Sequence, residues 1–184
     1  MAEFRLNRRS LLTAAALAAP AAAVASACSA PQQADLGFEV RTGADVLAGR
    51  DFDDVRGRRI GVVTNPTGVL SSLEHVVDAM QASGAVDVVA VFGPEHGFRG
   101  TSQAGGSEGD HRDPRTGLPV YDAYGADAAK LAEMFRKARV EQVVFDIADV
   151  GARFYTYIWT MYTAMQAAQQ VGAGFLVLDR PNPI

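Results

Sequence analysis

Ile60-Gly61-Val62-Val63-Thr64 is a short apolar run that is closed at once by Asn65-Pro66. Its length and its β-branched residues predict a strand that is buried on both faces. Residues 71–83 follow with apolar side chains at helical spacing, which predicts a helix directly after this strand. A buried strand followed by an amphipathic helix is the repeating unit of a parallel sheet.

The same alternation continues along the chain. Further strands are predicted at residues 86–92, around Val120, at 142–147 and at 174–178, and helices at 44–48, 127–139 and 158–171. A glycine-rich loop covers residues 93–117. We therefore predict an α/β fold, a Rossmann-like or flavodoxin-like doubly wound layer with a mostly parallel sheet and helices on both faces. Ligands bind such sheets beyond the carboxyl ends of the strands, where the polar motifs of this chain lie.

The composition narrows the classes of partner. With 184 residues, 48% hydrophobic and 21% charged, the chain is typical of one globular domain. A formal charge of -4 leaves no basic surplus for a phosphate backbone, so nucleic acid is not a predicted partner. No Gly-x-Gly-x-x-Gly follows the first strand and no Walker-type lysine loop occurs. His75, in the predicted helix, and His111, in a loop expected to be flexible, complete no metal motif, so we predict neither a metal nor another cofactor.

Residues 1–27 are predicted to be an export signal peptide. Arg5, Arg8 and Arg9 precede an uncharged, alanine-rich stretch at residues 11–27, which is short and weakly apolar for a permanent membrane span. Residues 7–12 resemble the twin-arginine signal, which exports proteins that have already folded. The alternative is an ordinary secretory signal that carries two arginines.

Cys28 follows Ala25-Ser26-Ala27 and is the only cysteine of the chain. This arrangement resembles a lipobox, in which the cysteine becomes the lipidated first residue; simple cleavage near Ala27 is the alternative. Residues 28–37 would then be a tether and residues 38–184 the globular domain. The sequence thus predicts an extracytoplasmic lipoprotein that one lipid anchor holds at a membrane surface.

The Gly-Pro-Glu-His-Gly motif at residues 93–97 places Glu95 and His96 side by side, with Arg99 close behind. A partly desolvated carboxyl group at Glu95 would have a raised pKa and could protonate a glycosidic oxygen. The glycines would let a backbone approach a ligand closely. Alternatively, Glu95 pairs with Arg99 and the glycines only form a turn.

A denser polar cluster follows the strand at residues 142–147. It contains Asp146, Asp149, Arg153, Tyr155 and Tyr157. Aromatic faces pack against pyranose C–H groups, while carboxylates and guanidinium groups bind hydroxyl and carboxylate substituents, so the cluster is typical of a sugar site. The alternative is a salt bridge between Asp149 and Arg153, with the tyrosines in the core.

The last strand ends in Asp179-Arg180-Pro181-Asn182-Pro183. Charged residues there cannot continue a buried strand, and the prolines fix an extended exit. The segment is either a wall of the site or a structural turn.

Five motifs, at residues 59–68, 93–100, 116–121, 145–157 and 178–184, together resemble the bacterial exo-β-N-acetylmuramidases of the NamZ/YbbC type. The resemblance runs from Phe38 to the end. It implies a glycoside hydrolase that releases N-acetylmuramic acid (MurNAc) from the non-reducing ends of peptidoglycan fragments, in a cleft between a Rossmann-like domain and a smaller C-terminal domain. Glu95 is then the catalytic candidate. The predicted substrate-binding residues are Asn65, His96, Arg99, Asp146, Asp149, Arg153, Tyr155, Tyr157, Asp179, Arg180 and Asn182.

Two departures from the family limit this interpretation. Ala148 stands where the family usually has glutamine, and the sequence stops at Ile184, where a second domain would begin. We therefore expect an open groove that further sequence would close. The second catalytic group is left open between Asp146, Asp149 and the 2-acetamido group of the substrate. A surface lipoprotein that captures sugars without cleaving them, and a scaffold with a vestigial site, are the alternative functions.

Overall fold

A computed structural model of the protein describes residues 40–182, which form one six-stranded sheet with helices. The strands are β1 (Arg59–Thr64), β2 (Asp87–Gly93), β3 (His111–Arg112), β4 (Pro119–Asp122), β5 (Gln142–Asp146) and β6 (Gly174–Val177). The helices are α1 (Gly43–Gly49), α2 (Val76–Ser83), α3 (Ala128–Ala138) and α4 (Tyr157–Val171), with a short 3₁₀ turn at Asp53–Val55. The predicted export signal, Cys28 and the tether lie outside the described residues, as do residues 183–184.

The strand order is β3-β4-β2-β1-β5-β6; β3 pairs with β4 antiparallel, and the other four strand pairings within residues 40–182 are parallel. The five parallel strands, numbered in chain order, therefore read 3-2-1-4-5, which is the Rossmann order and not the flavodoxin order. This confirms the predicted doubly wound fold. Because the order reverses at β1, the crevice for a ligand lies between the carboxyl ends of β1 and β5.

Both faces of the sheet are covered. Alternate residues of β1 enter different cores: Ile60 and Val62 pack with α1 and α2, whereas Val63 packs with α3 and α4. All three side chains are fully buried. Helices on both faces are thus confirmed, and the uninterrupted apolar character of β1 follows from burial on both sides.

Two local predictions were wrong. The helix predicted at residues 71–83 begins only at Val76, and Leu73 has a positive φ of 66° and is 82% exposed. His75 is consequently the N-cap of α2, not a helical residue. His111 lies in the edge strand β3, not in a flexible loop. A two-residue strand has no periodicity that a sequence pattern could reveal.

His75 joins α2 to the crevice. Its Nδ1 accepts a hydrogen bond from the Val77 backbone N–H, which caps the helix, and its Nε2 lies 3.0 Å from the Asn65 carbonyl oxygen. The ring is 7% exposed and packs edge-on against Phe98. Because Nδ1 must accept, the neutral ring that carries its proton on Nε2 satisfies both contacts. Burial lowers the pKa of His75, and the nearby Arg99 guanidinium lowers it further.

We expect the free energy of unfolding to decrease as the pH falls from 7 to 5. A folded-state pKa below the unfolded value of about 6.5 contributes stability that is present above that value and is lost on acidification. The His75→Asn variant keeps a capping oxygen but cannot titrate, so its urea midpoint should change less over this range. His111→Asn is the matched control, and its urea midpoint should change with pH as that of the parent protein does. If the urea midpoints of the parent protein and His75→Asn changed equally with pH, His75 would not be the source of the pH dependence.

None of the helices between residues 40 and 182 combines the length and the apolar character that crossing a membrane requires.

Candidate active site

The floor of the crevice is fixed by a bridge between the loops that follow β1 and β5. The Asn65 Oδ1 accepts hydrogen bonds from the Thr67 backbone N–H at 2.9 Å and from its hydroxyl at 2.6 Å. The Thr67 hydroxyl oxygen in turn accepts from the Ala148 N–H at 3.0 Å. Asn65 is only 2% exposed, so its side chain is an element of this floor.

Asp146 and Arg180 hold one another below the crevice. Nε and Nη2 of Arg180 donate to the two carboxylate oxygens of Asp146 at 2.6 and 2.9 Å, and Nη2 also donates to the Val69 carbonyl. Asp146 is fully buried. Burial raises the pKa of Asp146, and the Arg180 guanidinium opposes that rise. The expectation that Asp146 contacts substrate is therefore corrected, because both of its oxygens are engaged with Arg180. This pair connects β5 to the chain after β6.

Two glutamates join the Gly-Pro-Glu-His-Gly motif to the glycine-rich loop that follows it. Oε1 of Glu95 accepts a hydrogen bond from the Gly105 N–H at 2.9 Å, while Oε1 of Glu108 accepts from the Phe98 N–H at 2.8 Å. A side chain at Gly93 or Gly97 would collide with the Glu108 carboxylate. The glycines of the motif thus make room for Glu108. Sequence reasoning missed Glu108, because nothing in its loop marks it.

Arg99 binds two carboxylates other than Glu95. Its guanidinium donates to both oxygens of Asp78, at 2.9 and 2.7 Å, and to both oxygens of Asp113, at 3.1 and 2.9 Å. Burial alone would lower the pKa of Arg99, but the two carboxylates raise it above its ordinary value. Neither expectation for Arg99 is met: it does not pair with Glu95, and its donors are engaged with buried carboxylates instead of facing a substrate.

Glu95 lies in a groove at the switch point of the sheet, here named the switch-point groove. Its volume is about 430 Å³, and it is lined by Asn65, Pro66, Thr67, Glu95, His96 and residues 154–157. Burial raises the pKa of Tyr157; the neighbouring Asn65 side chain opposes the rise, and the nearby Glu95 and Tyr155 add to it. His96 reaches the lining from a backbone with a positive φ of 71°. The groove therefore brings a carboxylate, a neutral phenol, an amide and an imidazole together.

The tyrosines and the arginine of the predicted sugar cluster separate. Tyr157 is buried at the base of the groove, whereas Tyr155 is 37% exposed at its rim beside Phe154, which is 83% exposed. Arg153 is exposed, and within residues 40–182 it forms no ion pair with Asp149. The salt-bridge alternative is therefore wrong, and the core alternative holds for Tyr157 alone.

The remaining predicted residues line a neighbouring space between α4 and the ends of β5 and β6, here named the side cavity. Its volume is about 200 Å³, and its lining includes Asp149, Tyr157, Asp179, Arg180 and Asn182. The Oδ1 atom of Asp149 is buried there and has no hydrogen-bond partner among the described residues. Tyr157 forms a wall of both spaces. Among residues 40–182 no three His, Cys, Asp or Glu side chains are grouped as a metal site.

A family model described as exo-beta-N-acetylmuramidase NamZ, N-terminal, matches residues 60–184. The chain belongs to this family. The peptidoglycan beta-N-acetylmuramidase NamZ of Bacillus subtilis (strain 168) is 48% identical over 145 residues, which cover 79% of this chain and 34% of that protein.

Two crystal structures of DUF1343 family proteins from Bacteroides fragilis NCTC 9343 have the same architecture as this NamZ family domain. The first has a TM-score of 0.68 and 43% sequence identity, and the matched region covers 78% of this chain and 35% of the Bacteroides chain. The second has a TM-score of 0.61 and 32% sequence identity, and the matched region covers 79% of this chain and 36% of the Bacteroides chain. The chain thus spans about a third of the length of the relatives that it matches.

Proposed function

We propose that this chain is the N-terminal part of an exo-β-N-acetylmuramidase, a glycoside hydrolase that releases MurNAc from the non-reducing ends of peptidoglycan fragments during cell-wall turnover. One observation supports this most: Glu95 lies with Tyr157 and Asn65 in a groove at the carboxyl ends of the strands, in a chain 48% identical to a peptidoglycan muramidase. Rossmann-type sheets place their ligands at this position.

In this proposal Glu95 is the general acid. Its Oε1 accepts from the Gly105 N–H, which fixes the carboxyl group and leaves Oε2 free of any hydrogen bond within the described residues. A protonated Oε2 would donate its proton to the glycosidic oxygen as the bond from that oxygen to C1 of MurNAc breaks. The leaving sugar then departs as an alcohol.

The second catalytic function falls to one of two groups. Of the three options open at the level of sequence, Asp146 is fully buried and bonded twice to Arg180, so it can neither reach C1 nor act as a base toward water there. The 2-acetamido group of the substrate and Asp149, with its unpartnered oxygen, are left. Hydrolysis of a glycoside needs such a second group to stabilise positive charge at C1 or to activate water.

The substrate test uses two disaccharides of opposite order. We expect the protein to release MurNAc from a disaccharide with MurNAc at the non-reducing end and N-acetylglucosamine at the reducing end, and to leave the reversed disaccharide intact. Mass spectrometry of the products over time measures both reactions. Tight binding of the first disaccharide without product would favour a capture lipoprotein, and cleavage of both disaccharides would refute the specificity for MurNAc at the non-reducing end.

We further propose that the protein reaches an extracytoplasmic membrane surface through the twin-arginine route and a lipid on Cys28. The support is the Arg8-Arg9 pair before an uncharged stretch and the position of Cys28 after Ala25-Ser26-Ala27. Changing both arginines to lysine is expected to block export of a folded reporter. Mass spectrometry of the mature N-terminus should show a diacylglyceryl group on Cys28. A mature chain that starts elsewhere, or export that is unaffected, would refute the corresponding step.

A further inference from the structure

Glu95 lies at a junction between two spaces. Besides the switch-point groove, it lines a second groove of about 210 Å³ between α4 and the loop after β4, here named the outer groove. Glu95, Thr156 and Tyr157 belong to both linings. The remaining lining of the outer groove includes Tyr124, Trp159, Thr160 and Thr163.

We propose that the outer groove binds the leaving sugar, the residue bonded through oxygen to C1 of MurNAc. This inference rests on the proposed function. An acid that protonates a glycosidic oxygen needs space for one sugar on each side of that oxygen, and Glu95 has a groove on each side. The switch-point groove, lined by the imidazole of His96 and the ring of Tyr155 above the Asn65 floor, then holds MurNAc.

The chemistry of the outer groove suits a pyranose. Trp159 is 68% exposed and Tyr124 is 37% exposed, so each leaves part of an aromatic ring open to a ligand. A large apolar side chain that is this exposed is typical of a binding surface. Hydroxyl groups of Thr160 and Thr163 can donate to and accept from sugar hydroxyls. No lysine or arginine occurs in this lining, which disfavours a phosphorylated ligand.

The helix also gives the groove a direction. Thr156, Thr160 and Thr163 are spaced by four and three residues, so they form one row on α4, with Trp159 beside it. This row starts at the N-terminus of α4, beside Glu95, and leads away from the reacting bond. The leaving group can therefore be longer than one sugar, and its first ring would stack on Trp159.

The experiment uses the single tryptophan of the chain as its reporter. In the Glu95→Gln protein, which is expected to consume the ligand at least about 100-fold more slowly, MurNAc alone is expected to bind without changing the tryptophan emission. The disaccharide with N-acetylglucosamine at its reducing end is expected to shift and quench that emission and to bind about tenfold more tightly, as one added stacking contact allows.

A matched pair of variants locates the contact. In the Glu95→Gln background, Trp159→Ala is expected to weaken the affinity for the disaccharide about tenfold and to leave the affinity for MurNAc unchanged, as measured by calorimetry. Tyr162→Ala is the control, because Tyr162 is a 54% exposed aromatic residue on the same helix that lies outside both linings. Its effect should be below twofold.

The outcomes separate the two proposals. If MurNAc binds but the disaccharide gains no affinity and the emission does not change, the outer groove is not the leaving-sugar site, while the proposed function stands. Equal losses in Trp159→Ala and Tyr162→Ala would overturn the inference in the same way. If neither sugar binds, the proposed function fails and the inference fails with it.

Discussion

Glu95→Gln is expected to lower the rate of MurNAc release by about 10²–10⁴-fold, the range that a general acid contributes. The substitution keeps an oxygen at the position that accepts the Gly105 N–H, so the loop should keep its conformation. What disappears is the proton that Oε2 would deliver. Affinity for the uncleaved disaccharide should stay within about threefold, because an isosteric change removes no groove wall.

Glu108→Gln is the control for this substitution. Glu108 is the other carboxylate that joins the motif to the glycine-rich loop, with the Phe98 N–H on Oε1 and the Thr101 hydroxyl on Oε2. Its neutralisation removes a charge from the same loop but no predicted proton donor, so the rate should fall less than tenfold. Initial rates and calorimetric affinities of both variants provide the comparison. Equal losses of rate would show that loop geometry, and not proton transfer, accounts for the effect of Glu95.

The strands and helices were predictable because their signals are local. The run at residues 60–64 is apolar without interruption, and the structure buries Ile60, Val62 and Val63 on opposite faces of the sheet. The order of the strands is not local. β1 lies between β2 and β5, and β5 begins 78 positions after the end of β1, so no pattern within one segment could distinguish the Rossmann order from the flavodoxin order.

The candidate site was predictable in position but not in its pairings. Motifs that follow parallel strands meet at one edge of the sheet, which brought Asn65, Glu95 and Tyr157 together as expected. Which charges neutralise each other depends on distant residues: Arg99 binds Asp78, 21 positions away, and Arg180 binds Asp146, 34 positions away. A sequence shows that such residues are charged, but not that a partner is already in contact with them.

The sequence predicted that α4 is a helix, but not which of its side chains are buried. Its apolar residues predicted a helix with a buried face, and Ala164, Ala167 and Ala168 form that face. The large side chains Trp159 and Tyr162 are on the exposed side instead. Small residues pack against α3, and Trp159 and Tyr162 stay exposed on the other side of the helix.

The largest expected loss of stability comes from Arg99→Ala. The guanidinium is the shared partner of Asp78, which is 5% exposed, and of Asp113, which is 1% exposed. Its removal leaves two carboxylates close together in a buried position. Removing one partner of a buried ion pair costs about 3–5 kcal/mol in the free energy of unfolding, and here Asp113 would lose its counterion while Asp78 would keep only the exposed Arg115.

The size of this loss should depend on pH. Burial alone would raise the pKa of Asp113, but hydrogen bonds from Arg99 and Thr116 hold it well below its usual range. A lowered folded-state pKa contributes stability that is present above the unfolded value of about 3.9 and is lost as the pH falls through the folded value. Without Arg99 this contribution is smaller, because only the Thr116 hydrogen bonds are left to lower the pKa of Asp113. The difference in unfolding free energy between the parent protein and Arg99→Ala should therefore be largest near pH 7 and should shrink below about pH 4.

Arg115→Ala is the matched control for Arg99→Ala, because Arg115 contacts the same Asp78 at 3.1 Å but is 68% exposed. An exposed pair contributes about 1 kcal/mol or less, so urea unfolding at pH 7 should separate the two variants clearly. Similar losses in both would contradict the central role of Arg99 in this ion-pair group. A stable Arg99→Ala protein that binds MurNAc sugars more weakly would contradict it more directly, and would return Arg99 to the substrate-binding residues that the sequence predicted.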